Sequence, residues 1–129
     1  MEYHLSKSII NASFEEIEKS VKNELAKEGF GVLTEINVQE ILKSKIDIDF
    51  KKYKILGACI PYAAYNIIKK EDKAGVFLPC NVLIQEDSNG IIEISAINPY
   101  AAFKAVDNDN IGCHLLEIKE KLLRVIDNA

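Results

Sequence analysis

Three cysteines carry the most reactive chemistry in this sequence. Cys59, Cys80 and Cys113 are separated by 21 and then 33 residues, a spacing that matches no zinc-ligand pattern. Cys59 ends an apolar stretch two residues before Pro61. Proline suits the first position of a helix, and a helix start stabilises an anion through its free N–H groups and its dipole. A thiolate at Cys59 gains from that placement, which makes it the candidate reactive thiol. The competing reading is a small buried hydrophobe beside Gly57 and Ala58, since cysteine is among the most buried residue types. Cys80 follows Pro79 in phase with Leu78, Val82 and Ile84, a core position by default. If the strands holding Cys59 and Cys80 are neighbours, Cys80 becomes a resolving thiol, or the second ligand of a soft metal such as Cu(I) or Zn²⁺. Cys113 lies about 200° around the last helix from Ile111, on the wet side, and adjacent His114 diverges from it.

Other polar candidates are fewer. Glu35 shares one face of a short strand with Leu33, where a carboxylate on partly apolar ground has a raised pKa and acts as a base; an exposed edge glutamate is the plainer alternative. Asn81 and Asn98 flank apolar strands next to prolines, where they orient a ligand or cap a turn. His4 is a strand residue with no partner visible in the sequence. Lys43, Lys45, Lys51, Lys52 and Lys54 form a basic cluster interrupted by Asp47 and Asp49. Such a run is a solvated loop or a weak anion site. The sequence has no G-x-G-x-x-G, P-loop, H-E-x-x-H or G-x-S-x-G, so the commonest enzyme signatures are missing.

The elements that must position these residues follow from periodicity. Tyr3 to Ile10 reads as a strand. Ser13 with Glu16 is a capping box, and Phe14, Ile17, Val21 and Leu25 form a helical stripe. Gly29 and Phe30 predict a closure in which Phe30 packs back on Leu25. Phe30 to Ile36 reads as a second strand, with Val32, Thr34 and Ile36 on one face. A short helix capped by Asn37 follows, then a third strand from Tyr53 to Cys59 and a helix from Pro61 to Lys70. The small residues Gly57, Ala58 and Cys59 predict the close approach of another backbone or a ligand. A fourth strand is expected from Val76 to Glu86, broken at Pro79. Asp87-Ser88-Asn89-Gly90 turns it into a fifth, Ile91 to Ile97. The last helix, after the capping cluster Asp107 to Asn110, presents Ile111, Leu115, Ile118, Leu122, Val125 and Ile126. This order predicts one domain over residues 1–129 of α+β class: two layers, a mostly antiparallel sheet with helices on one face.

The blocks Gly29-Phe30-Gly31-Val32-Leu33-Thr34-Glu35-Ile36, Tyr53-Lys54-Ile55-Leu56-Gly57-Ala58-Cys59 and Leu78-Pro79-Cys80-Asn81-Val82 together resemble domain-of-unknown-function family DUF302. The resemblance runs from about Phe14 to the last helix and implies an α+β fold of TATA-binding-protein-like topology, β-α-β-(α)-β-α-β-β-α. It implies no activity. In the cysteine-bearing branch that this chain resembles, Asn commonly stands where Ile60 is here. Another branch lacks cysteines at the positions of Cys59 and Cys80, which makes cysteine chemistry a branch speciality at most.

Composition narrows the rest. The chain has 129 residues, 48% of them apolar and 28% charged, with 6 Gly and 3 Pro, and a domain of that size buries roughly two-thirds of its unfolded surface without disulfide or metal. The charge is mildly acidic, with 16 basic and 20 acidic side chains, and only one of the basic set is Arg. That disfavours specific nucleic-acid reading, which relies on bidentate Arg contacts. No apolar run reaches membrane-spanning length, and the first residues lack a signal-peptide core. A cytoplasmic protein is expected. The leading function is a homodimeric module that binds a small molecule near Cys59, Cys80, Glu35 and Asn81. The alternatives are thiol-based redox or sulfur handling by Cys59 with Cys80, and soft-metal binding at the same pair. Whether it is an enzyme, and with what cofactor, is left open by the residues.

Overall fold

Local signals close the first helix at both ends. A computed structural model describes residues 2–129; it starts with strand β1 (His4–Ile9) and helix α1 (Phe14–Lys27). The Ser13 hydroxyl accepts a hydrogen bond from the Glu16 N–H at 3.1 Å, satisfying one of the donors that every helix start leaves unpaired. At the other end Gly29 takes φ +88°. The Phe30 N–H reaches back to the Leu25 carbonyl at 3.0 Å, and the Gly29 N–H to that of Ala26 at 3.1 Å. That is the expected Schellman closure, with Leu25 and Phe30 both buried.

The chain continues through β2 (Gly31–Asn37), α2 (Val38–Ile46), β3 (Tyr53–Cys59), α3 (Pro61–Lys70), β4 (Cys80–Glu86), β5 (Ile92–Ile97), α4 (Pro99–Ala102) and α5 (Gly112–Asn128). The five strands form one sheet in the order β1-β5-β4-β3-β2, and every neighbouring pair is antiparallel. Helices α1 and α5 bury their apolar stripes on one face. Val21, Leu25, Leu122 and Val125 meet Leu56, Val82, Ile84, Ile92 and Ile94 in a single core. This is a two-layer α+β fold. The other face carries His4, Ser6, Ser95, Leu83, Ile55 and Tyr53, the alternate residues of each strand. Among the described residues, no helix is long and apolar enough to cross a membrane.

Four local expectations change. First, the ladder between β2 and β3 shifts register between Val32 and Thr34, a bulge at Leu33. Val32 therefore shares the covered side with Glu35, while Thr34 and Ile36 face the open side; strict alternation put Val32 with Thr34 and Ile36. Second, residues 76–79 are not strand. Asp72–Phe77 forms a short 3₁₀ helix, the Leu78–Pro79 peptide is cis, and β4 starts only at Cys80, past the proline that has no N–H for a ladder. Third, the hairpin turn takes its positive φ at Gly90 alone, +77°. The Asp87 carboxylate accepts from the N–H groups of Asn89 and Ile91 at 2.9 and 3.0 Å. Fourth, Asn108 caps the 3₁₀ turn Asp109–Ile111 and leaves α5 without a side-chain cap.

Candidate functional site

Register decides which candidate residues meet. Gly57 pairs with Asn81 and Ala58 with Cys80, while Cys59 pairs with Gly31 on its other side. Side chains alternate along a strand. Cys80 therefore joins Ala58 in the core, whereas Cys59 and Asn81 both belong to the open face. Cys59 and Asn81 are diagonal neighbours there, a placement that sets Cα atoms about 7–8 Å apart. Cys80 is 4% exposed, Cys59 half-buried and Asn81 exposed. The two thiols lie on adjacent strands, as a pairing would require, but on opposite faces of the sheet; both are free.

The small residues before Cys59 have a visible reason. A Cβ on Gly57 would run into the Thr34 side chain and come within 2.9 Å of Pro79 Cγ. The small residues Gly57, Ala58 and Cys59 predict a close backbone or ligand; at Gly57 the close neighbours are instead two side chains, those of Thr34 on β2 and of the proline ahead of β4. Cys59 ends β3 and α3 departs at once, with Pro61 in its first turn. Just beyond, Pro61, Tyr62 and Tyr65 line an open groove of about 450 Å³.

Electrostatics separate the thiols from reactive ones. Burial pushes the Cys80 thiol up to about 12, and the nearby Cys59 adds to the shift. Burial also raises Cys59, the direction opposite to the one a helix start favours. Both are protonated at neutral pH. Among the described residues, no group of three or more His, Cys, Asp or Glu is arranged to hold a metal ion.

Glu35 sits elsewhere. It pairs with Leu56, on the covered side of the sheet rim, where Lys22 and Lys54 reach its carboxylate at 3.0 and 3.1 Å. Glu18 takes the same two lysines, each at 2.8 Å. Hydrogen bonds from Lys22 and Lys54 hold Glu35 below the ordinary carboxylate value, the reverse of what a general base on an apolar face requires. For Glu18 burial acts upward, yet the hydrogen bonds and charges of Lys22 and Lys54 leave it lowered as well. The lysine cluster is similarly answered: Lys43 by Asp47 and Asp49 at 2.9 and 3.1 Å, Lys52 by Glu15 at 3.5 Å. Lys51 lies beside the Phe50 and Tyr53 rings. These carboxylates offset the positive field that an anion site needs.

Asn98 turns out to be a cap. It is 3% exposed; its amide donates to the Glu2 carbonyl at 3.0 Å and its side-chain oxygen accepts from the Ala101 N–H at 3.4 Å. The structure also supplies what His4 lacked. His4 Nδ1 lies 2.7 Å from the Ser6 hydroxyl, which lies 2.8 Å from that of Ser95; His4 Nε2 is 3.2 Å from Glu2. This polar chain runs across the open face of β1 and β5. The two-residue spacing of Glu2, His4 and Ser6 was readable as one strand face, but Ser95, 89 residues from Ser6, was not.

The family model for the domain of unknown function DUF302 matches residues 6–129. The fold is also similar to the crystal structure of an uncharacterized conserved protein DUF302 from Bacillus stearothermophilus, with a TM-score of 0.91 and 25% identity over 99% of this chain and 98% of that one. No curated protein matches the chain.

Proposed function

The chain belongs to the DUF302 family of domains of unknown function, and from that premise we propose that it is a homodimeric small-ligand-binding module whose ligand lies on the open face of the sheet at Cys59 and Asn81. The observation that carries this reading is the pairing of Gly57 with Asn81, which sets a neutral thiol and an amide side by side on a face that neither α1 nor α5 covers. Asn81 offers both a donor and an acceptor. The protonated Cys59 behaves as a small polarizable hydrophobe, and Pro61, Tyr62 and Tyr65 of the helix that follows it line an apolar groove. The ligand chemistry that suits these groups is a small planar molecule with an amide or carbonyl edge. Cys80 and Glu35 support the site from the other side, one by packing and one by pinning β2 to α1 through Lys22. The raised pKa of both thiols, and their opposite faces, favour binding over thiol chemistry or a shared soft metal. The test is saturation-transfer NMR with a panel of small aromatic amides, on protein with Cys113→Ser. Hits should lose their signal in Asn81→Ala and after iodoacetamide blocks Cys59, and keep it in Ser8→Ala on the far edge strand β1. A panel without hits, or hits indifferent to both changes, overturns the reading.

A further inference from the structure

We propose that two copies associate through the edge of β2, paired antiparallel about a two-fold axis at Glu35, so that α2 of each copy packs against Leu33 and Tyr62 of the partner. This rests on the self-association in the reading above and names the surface that performs it.

The strongest sign is where apolar surface is left uncovered. Leu33, Ile36, Ile41, Ile46, Ile48 and Phe50 are all large and 40–64% exposed, within 18 consecutive residues. Helix α2 lies in this stretch and has no buried residue. A nine-residue helix is marginal by itself in water, and α2, although it touches β3, still leaves Ile41 and Ile46 exposed.

The two sheet edges also differ. Strand β1 carries Lys7, a residue type that commonly guards edges, here tied to the α5 end through the Asp127 and Ala129 carbonyls at 3.0 and 3.4 Å. Strand β2 has neither Lys nor Pro, and its one charge, Glu35, is drawn inward by Lys22 and Lys54. The Leu33 bulge leaves Thr34–Asn37 as the regular part of its ladder. A two-fold axis perpendicular to the sheet at Glu35 sets Thr34 opposite the partner's Ile36 and keeps both open faces on one side.

The same operation matches two patches that lie at opposite ends of β2. At one end Asn37 leads into α2. At the other, Gly31 pairs with Cys59, and Tyr62, 78% exposed, follows three residues on. Antiparallel pairing brings the α2 end of one copy beside the Leu33 and Tyr62 end of the other. The two β3 strands would then be about 14 Å apart, a gap that a helix of about 10–12 Å diameter can bridge. Residues 31–50 and 61–65 amount to 25 per copy, within the roughly 20–30 per side of a standard interface. A foreign strand added to β2 would leave α2 and Tyr62 bare, whereas a second copy covers both by one symmetric contact.

The experiment combines sedimentation with cross-linking. In sedimentation, the wild-type chain should be a dimer at micromolar concentration. Leu33→Lys and Ile41→Glu should each raise the dimer dissociation constant at least about tenfold, while circular dichroism stays native. Ser8→Lys on β1 should leave the dimer intact. In a background with Cys59→Ala and Cys113→Ser, Glu35→Cys should form an intermolecular disulfide on mild oxidation, since residues directly opposite meet disulfide geometry; Ser8→Cys should not. A monomeric wild type overturns this proposal together with the self-association it rests on. A wild-type dimer that ignores Leu33→Lys and Ile41→Glu, or that cross-links through Ser8→Cys in place of Glu35→Cys, overturns the proposed surface alone.

Discussion

One sheet has two faces here, and they obey different rules. On the covered face Leu56, Ala58, Val82, Ile84, Ile92 and Ile94 are completely buried. The open face mixes Ile55, Leu83 and Tyr53, all half-buried, with Ser6, Ser95 and Glu93. The two candidate cysteines fall on opposite sides of this divide, although they occupy adjacent strands. A covered residue answers to packing, because interiors are dense and a lost methylene is felt. An open-face residue answers to solvent and to whatever docks there. Cys80 belongs to the first class and Cys59 to the second, so the same residue type has two meanings within one fold.

Thiol reactivity offers the largest contrast. In native protein, iodoacetamide should modify the exposed Cys113 first, Cys59 more slowly, and Cys80 only on unfolding. With its pKa near 12 instead of 9.0, Cys80 has about a thousandfold less thiolate at a given pH even before access is considered. Peptide mapping after timed alkylation checks the order; Cys80 modified as fast as Cys59 would erase the distinction between the faces.

Truncation should show a smaller contrast in the same direction. Ile94→Ala on the covered face should cost about 2–5 kcal/mol in urea unfolding. Leu83→Ala, on the open face of the central strand β4, should cost less than half as much, because water already reaches it. Equal losses would mean that the open face is covered in solution more fully than a single copy can explain.

The smallest effect concerns the rim where the faces meet. Glu18 and Glu35 are lowered by Lys22 and Lys54. A carboxylate with a depressed folded-state pKa adds stability above its unfolded value, about 4.3, and that stability is lost as pH falls through the lower folded value. Wild-type urea midpoints should therefore drop below about pH 4.3 more than those of Glu18→Gln, while at neutral pH the substitution should cost less than about 1 kcal/mol, as partly exposed pairs do. Parallel pH profiles would remove the quartet from the stability account.

What could be read from the chain alone was whatever depends on residues a few positions apart. The Ser13 cap, the Gly29–Phe30 closure, the stripes of α1 and α5, the Asn37 cap and the alternation of Ile92, Ile94 and Ala96 all span at most a few turns or one strand, and each stands in the structure as expected. The two-layer class followed from their order. Tertiary structure alone decided everything that hangs on register. The bulge at Leu33 is one inserted residue, invisible in the pattern, yet it moves Val32 to the face of Glu35. The offset of one residue between Cys59 and Cys80 depends on how β3 meets β4, and a shift of one residue moves a side chain to the opposite face. The lysines that lower Glu35 come from 13 and 19 residues away, and the serine beside Ser6 from 89. Such partners meet because a packed core aligns whole elements, and no local pattern encodes that alignment.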